Sequence, residues 1–159
     1  MRGGGVLRGG AGAALALLAA AGLSAAQQKA GPPDLAAVQK ERAATMKAIN
    51  YAMREIYVGS KKGEMAGVAK AAAEVADLVE KIPALSPEGS NLGETRIKPE
   101  VWKNFDHYEK LSAQAAQAAR MLVQVAGGGD RAAVMKSFAA LANSCNECHK
   151  PYRIPKDGD

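Results

Sequence analysis

Apolar residues recur at intervals of three and four in four segments of the chain, which is the spacing of one face of an α-helix. The first segment follows Asp34, a residue type that caps helix N-termini, and ends at Gly59 and Ser60. Its apolar positions are Leu35, Val38, Met46, Ile49, Met53 and Ile56. The second segment ends before Pro83. Its apolar positions are Met65, Val68, Ala72, Val75, Leu78 and Ile82.

Two more helices follow a long connection. Residues 83–99 contain three prolines and two glycines, a composition that predicts a loop. Glu100 opens a third helix that breaks at 127–129, three consecutive glycines, and Asp130 caps a fourth. The third helix has Val101, Phe105, Tyr108, Ser112, Ala115 and Leu122 on one face; the fourth has Val134, Phe138, Leu141, Cys145 and Cys148. Because no segment alternates over a strand length, the chain is predicted to be an all-α, antiparallel four-helix bundle.

The N-terminal region has the pattern of a signal peptide. Arg2 and Arg8 precede an uncharged Ala/Leu run at 11–23, and Ser24-Ala25-Ala26 supplies the small residues of a cleavage site. The run is short for a membrane span, so an uncleaved anchor is the weaker alternative. The predicted organisation is a signal peptide at 1–26, a linker at 27–33, the bundle at 34–153 and a tail at 154–159. Export to the periplasm follows from this prediction.

The charge pattern argues against a nucleic-acid partner. Cleavage after Ala26 removes two arginines and no acid, so the formal net charge falls from +5 to +3. The remaining charges are mixed along the chain and no basic run is interleaved with aromatic residues. A mild positive charge can still steer an acidic protein partner. Because no other long apolar segment exists, we expect no stable membrane insertion after cleavage.

The predicted core is short of side-chain volume. Aromatic residues are only 4% of the chain, and the helices are rich in alanine. Side chains this small fill a four-helix bundle poorly, whereas protein interiors are close-packed. A large buried prosthetic group would supply the missing volume.

The two cysteines of the chain, Cys145 and Cys148, are followed directly by His149. Three interpretations of this Cys-x-x-Cys-His motif compete. A redox dithiol normally opens a helix after a strand, whereas this motif ends a predicted helix, where the helix dipole has the opposite sign. A structural zinc ion needs four ligands, and the other histidine, His107, is predicted to face solvent.

Covalent haem attachment explains the motif best. At about 100° per residue, the two cysteines and His149 fall within an arc of about 100° on one helix face. Two thioethers can then hold the edge of a haem while the adjacent imidazole reaches the iron. The sequence therefore predicts one covalently bound haem c, with Cys145 and Cys148 as its attachment sites and His149 as an axial ligand.

The first helix is predicted to cover the opposite side of the iron. Arg42 lies on its apolar face, where its head either reaches solvent at the bundle end or pairs with a haem propionate. Met46 lies one turn further on, and its thioether is either an iron ligand or core packing. Met53 lies about 10 Å beyond Met46 along the helix and is predicted to be a core residue.

At this point the chain resembles the cytochrome c′ family of class II c-type cytochromes. The resemblance lies in the signal peptide, the four helices, and the segments RAATM at 42–46, KPEVW at 98–102 and CNECHKPYR at 145–153. It implies a four-helix bundle in which an arginine precedes the distal residue by four positions. Members with an apolar distal residue are five-coordinate and bind NO or CO. The branch with methionine there is low-spin, six-coordinate and regarded as electron carriers.

Together these observations favour a periplasmic monohaem electron carrier rather than an enzyme, since no nucleophile–base pair or paired carboxylates stand at a recognisable spacing. By the resemblance, Arg153 is expected to tune the haem surroundings or to belong to a docking surface. The partners of the protein would be periplasmic redox proteins, and a homodimer is compatible with the sequence. The alternative is a gas-binding protein in which Met46 does not coordinate the iron. A helical scaffold or a non-haem metal carrier would leave the Cys-x-x-Cys-His motif unexplained.

Overall fold

The computed structural model describes residues 33–156, which form a helical bundle. Its helices are α1 (Leu35–Lys62), α2 (Met65–Glu80), the single turn α3 (Glu100–Lys103), α4 (Phe105–Gly127) and α5 (Arg131–Tyr152). Within that range the only β contact is an isolated antiparallel bridge between Ile97 and Arg153. The all-α prediction is therefore confirmed. The predicted signal peptide, nearly all of the linker and the end of the tail lie outside the described residues.

Both predicted aspartate caps are present. The Asp34 carboxylate accepts hydrogen bonds from the backbone N–H groups of Ala36 and Ala37, at 3.0 and 3.1 Å. At the start of α5, the Asp130 carboxylate accepts hydrogen bonds from the backbone N–H groups of Ala132 and Ala133, at 2.8 and 3.3 Å. Each cap satisfies N–H groups that have no partner within the helix. The capped ends are thus fixed by local sequence.

The predicted end of the first helix at Gly59 and Ser60 is wrong. The helix continues through both residues to Lys62, and Gly63 ends it with a φ of 80°. A Cβ at Gly59 would lie 3.1 Å from a methyl carbon of Val68, so this glycine allows α1 and α2 to approach closely. The Ser60 hydroxyl donates to the Ile56 carbonyl inside the helix, at 2.6 Å.

The predicted third helix is also interrupted. It forms one turn from Glu100, leaves helical geometry at Asn104 (φ −137°, ψ 48°) and restarts at Phe105. The short turn is held separately, because Val101 is fully buried and the Trp102 indole donates to the Ser86 carbonyl at 3.0 Å. The side-chain pattern of a helix therefore continues across a break in the backbone.

The bundle packs tightly on one side and loosely on another. The contact between α2 and α4 is extensive, and both helices carry small buried side chains: Ala71, Ala72, Ala76, Ala115, Ala116 and Ala119. By contrast, α1 and α5 contact each other far less than α1 contacts α2 or α5 contacts α4. No helix of the described residues is long and apolar enough to span a bilayer. The packing leaves space between α1 and α5 at the end where the Cys-x-x-Cys-His motif lies.

Candidate functional site

An apolar cleft lies between the four long helices at this end of the bundle. Its lining comes from α1, α2, α4 and α5: Met46, Ile49, Val79, Ile82, Leu111, Ser112, Ala115, Cys145, Cys148 and His149. The one hydroxyl among them belongs to Ser112, which donates to the Val79 carbonyl at 2.7 Å and is therefore satisfied within the fold. An apolar lining with a few sulfur and nitrogen side-chain groups is typical of a site for an apolar ligand that is held at specific points.

The two cysteines face this cleft from the last turns of α5. Both are half-buried, and neither is in a disulfide. Burial raises the pKa of the Cys148 thiol to about 11, with a smaller contribution from Cys145, and burial also raises the pKa of Cys145. A reactive dithiol needs the opposite shift, because the thiolate is the nucleophile. The electrostatics of the site therefore do not support the dithiol interpretation.

A zinc site has no support among the described residues either. They contain no group of three or more histidine, cysteine and acidic side chains that could hold a metal ion. His107 is exposed, as predicted, and its Nδ1 lies 2.8 Å from the Tyr152 hydroxyl rather than near the cysteines.

The raised pKa of Cys148 makes a direct prediction for the chain before haem attachment. At pH 8 a thiol with a pKa of about 11 is ionised in roughly one molecule in a thousand, against about one in ten for a pKa of 9. Alkylation of Cys148 should therefore be at least about tenfold slower in the folded apoprotein than in the same chain unfolded in urea. The folded rate should keep rising as the pH approaches 11. Peptide mapping after timed iodoacetamide treatment measures both rates, and equal rates at pH 8 would contradict the buried-thiol geometry.

Met46 is the residue of α1 that shares this cleft with the motif. Its half-buried side chain lines the cleft together with Cys148 and His149. Met53 packs against the hydrophobic core and does not line the cleft. The structure therefore separates the two methionines as the helical rise predicts.

Arg42 is buried, with 7% of its surface exposed, and does not reach solvent at the bundle end. Its guanidinium donates to the Leu85 carbonyl (2.8 Å), the Ser90 hydroxyl (2.7 Å) and carbonyl (2.6 Å), and weakly to the Thr95 hydroxyl (3.4 Å). These partners lie in the 83–99 loop and all are neutral. The sequence did not indicate them, because a loop rich in serine and proline carries no periodic signal.

The charge of Arg42 has no counter-ion among the described residues. No described carboxylate lies within 4.0 Å of its guanidinium, and burial lowers its pKa. A buried cation with neutral partners alone is costly, because its lost hydration is only partly replaced. The site is therefore suited to a ligand that brings a carboxylate.

Two buried tyrosines adjoin the motif, and the sequence analysis assigned neither of them a role in the site. Tyr108 and Tyr152 are each 5% exposed, and their rings meet edge-on at 5.3 Å. Burial raises the pKa of both hydroxyls, and the nearby Cys148 adds to each shift. The Tyr108 hydroxyl also lies 3.1 Å from the Ser86 hydroxyl. Tyr108 contacts the 83–99 loop through Ser86, and Tyr152 contacts it through the Lys98 N–H.

Arg153 follows α5 directly and is half-buried. Its backbone N–H donates to the His149 carbonyl at 2.9 Å and closes the last turn of the helix. Its side chain does not line the cleft. The structure thus places Arg153 beside the site rather than in it.

The residues present fit a covalently held haem. Two neutral thiols, an imidazole and a thioether meet in one apolar cleft, and the helices that carry Met46 and His149 leave space between them. The buried Arg42 cation lies one turn from Met46 on α1 and lacks an anion. These groups match the vinyl edge, the iron and the propionates of a haem c.

Comparison with known proteins gives the same result. Residues 37–153 match the family model described as cytochrome c′. The chain is 31% identical to the cytochrome c′ of Rhodospirillum rubrum over 145 residues, covering 87% of this chain and 95% of that protein. The structure resembles that of cytochrome c′ from Thermochromatium tepidum (TM-score 0.70, 27% identity), covering 79% of this chain and all of that one. It also resembles a cytochrome c′ with ligand-controlled dimer dissociation (TM-score 0.69, 28% identity), with the same coverage of both chains.

The family model spans most of the chain, and the R. rubrum relative is matched over nearly its full length. The structural likeness confirms the antiparallel four-helix bundle that the sequence predicted. The chain therefore belongs to the cytochrome c′ family, whose members bind one covalently attached haem c.

Proposed function

We propose that this protein is a periplasmic electron carrier with a six-coordinate, low-spin haem. In this proposal Cys145 and Cys148 form the two thioethers, and His149 and Met46 bind the iron from α5 and α1. The observation that carries it is the position of Met46, whose thioether lines the same cleft as Cys148 and His149.

The chemistry of the ligand set supports electron transfer. A bound haem supplies a one-electron couple, and ligation by His and Met raises its reduction potential. The chain contributes an apolar cleft that excludes water and two ligands on separate helices. With both axial positions filled by protein side chains, no position is left for a small ligand without displacing one of them.

Arg42 is proposed to balance the charge of a haem propionate. Four of the five N–H groups of its guanidinium are oriented by the 83–99 loop, which leaves the Nε–H and the uncompensated charge available to an anion. Arg153 is proposed to lie at the edge of the haem surroundings, where a redox partner would approach.

The alternative is a five-coordinate protein that binds NO or CO. The sparse contact between α1 and α5 favours it, because little direct packing between these two helices holds Met46 towards α5. Membership of the cytochrome c′ family points the same way, since its members commonly leave the distal position open. The two functions differ only in whether Met46 occupies that position.

Absorption spectra of the purified holoprotein, with and without CO, distinguish these functions. The carrier is expected to be low-spin at neutral pH, to show a ferric Met-to-iron charge-transfer band and to bind CO weakly in the ferrous state. A high-spin spectrum with tight CO binding by the wild-type protein would reject the carrier and support the alternative.

The proposed location rests on the sequence pattern of residues 1–33, and the proposed assembly on an exposed groove. We propose cleavage after residue 26, with 27–33 as linker, 34–153 as the haem-binding bundle and 154–159 as tail. A second copy is proposed to pack on the groove between α1 and α2, where Tyr51 is 72% exposed and Val58 39% exposed beside Gly59. Sedimentation of the holoprotein tests whether two copies associate.

A further inference from the structure

The 83–99 loop makes hydrogen bonds to α1 and to the end of α5 with the residues that follow it. The two helices α1 and α5 have little direct contact with each other. On the α1 side, the Gln39 amide makes two bonds with Leu92: its nitrogen donates to the carbonyl at 2.7 Å and its oxygen accepts from the N–H at 2.8 Å. Arg42 adds its four bonds to the same loop. The first turns of α1 are therefore fixed to the loop at two successive points.

The other end of the loop is bonded to the C-terminal end of α5. The Lys98 N–H donates to the Tyr152 carbonyl at 3.0 Å, and the Ile154 N–H donates to the Arg96 carbonyl at 2.7 Å. These bonds form the isolated antiparallel bridge between Ile97 and Arg153. Backbone pairing of this kind fixes both the position and the direction of the chain that leaves α5.

Each attachment lies one helical turn from a proposed iron ligand. Arg42 is four residues before Met46 on α1, and Tyr152 is three residues after His149 on α5. A displacement of either attachment is therefore passed to the ligand through a single turn of helix. Without either attachment, α1 and α5 are joined by a small direct contact and otherwise only through their packing on α2 and α4.

The middle of the loop is also restrained. The Ser86 carbonyl accepts a hydrogen bond from the Trp102 indole at 3.0 Å. The Ser86 hydroxyl lies 3.1 Å from the Tyr108 hydroxyl. Ser86 and Ser90 are both fully buried. A segment with this many internal partners behaves as a fixed spacer rather than as a mobile connection.

We infer that the 83–99 loop is a strap that sets the separation between Met46 and His149, with Gln39, Arg42 and the Ile154 N–H as positioning groups. This inference rests on the proposed haem ligation. It assigns the control of distal ligation to residues that line no part of the cleft. A strap that holds the two helices together keeps Met46 within reach of the iron; a loosened strap opens the distal side.

Two variants loosen opposite ends of the strap without changing any charge. Gln39→Ala removes both bonds to Leu92, and Ile154→Pro removes the N–H that donates to Arg96. Asp130→Ala is the matched control, because it removes a cap at the other end of α5 and leaves the strap intact. Thermal unfolding of the three variant holoproteins measures how much stability each one loses, including the loss that removal of the cap causes in Asp130→Ala.

The measured quantities are the high-spin fraction of the ferric holoprotein and the CO association rate of the ferrous holoprotein. Both strap variants should raise the CO association rate by about fivefold or more and increase the high-spin fraction, whereas Asp130→Ala should change neither. Wild-type rates and spectra in both strap variants, whatever their stability, would overturn the inference. An effect of equal size in Asp130→Ala would overturn it too, since general loosening would then explain the result.

A charge-conserving variant separates the strap from propionate pairing at Arg42. Arg42→Lys keeps the positive charge but cannot make the forked bonds to Leu85 and Ser90. The strap predicts that its CO association rate rises with those of Gln39→Ala and Ile154→Pro, and a rate equal to that of the wild type would count against the strap. If the wild-type protein is itself high-spin, the electron-carrier proposal fails. The strap is then still judged by the CO rates, because Met46 lines the space that CO must enter.

Discussion

Replacement of both Cys145 and Cys148 by alanine is expected to leave no haem on the chain after denaturing electrophoresis. The proposed thioethers at these two sulfurs are the covalent links, so the double variant can hold a haem only through its axial ligands and apolar contacts. Each single variant keeps one link and should retain haem with lower thermal stability. Haem staining of gels, together with the mass of the intact holoprotein, measures the attachment.

A matched control lies one residue before the motif. Ser144 is half-buried on the same helix, and its hydroxyl donates only to the Leu141 carbonyl one turn earlier, at 2.7 Å. Ser144→Ala should therefore keep the full covalent haem content. Retention of covalent haem by the double cysteine variant would show that the attachment lies elsewhere and would reject the proposed site.

Replacement of Met46 by leucine is expected to convert the holoprotein from a six-coordinate to a five-coordinate form. Leucine conserves the volume of methionine, so the cost in packing should stay below about 1.5 kcal/mol, but its side chain offers no lone pair to the iron, and the stabilisation from the Met–iron bond is lost as well. If the Met46-bound form outweighs the open form by about a hundred to one, its loss should tighten CO binding about a hundredfold, or by about 2.7 kcal/mol. The reduction potential should fall at the same time.

Met53→Leu is the internal control for this result. Met53 belongs to the same helix and packs against the core, but it does not line the cleft. It should have a similar packing cost, below about 1.5 kcal/mol, and leave the spectrum, the potential and CO affinity at their wild-type values. CO titration and potentiometry of the two variants measure the changes in CO affinity and in reduction potential. A Met46→Leu protein that is as low-spin as the wild type would show that another group fills the distal position.

Much of the fold could be predicted from the sequence because its helices are strongly periodic and well capped. Asp34 and Asp130 cap the helices at which the sequence places them. The predicted end at Gly59 was wrong because glycine has two uses, and here close packing against Val68 prevails over chain termination. The break at Asn104 was missed because the side-chain pattern on both sides keeps the same helical phase.

The same contrast holds for the candidate site. The Cys-x-x-Cys-His motif and Met46 could be identified because residue chemistry and helical spacing agree there, and the structure brings them to one cleft. The loop partners of Arg42 could not, because contacts between residues 43 to 53 positions apart depend on how the loop folds back. The position of Arg42 on an apolar face was visible from the sequence, whereas its neutral partners were not.

The contact between α2 and α4, two helices with small buried alanines, bears on the order in which the protein assembles. Side chains this small allow two helices to pack closely without any cofactor between them. The pair can therefore form a template before haem is attached, while little direct contact joins α1 to α5. Entry of the haem is thus expected from the α1–α5 side, and its attachment to α5 would be the event that completes the bundle.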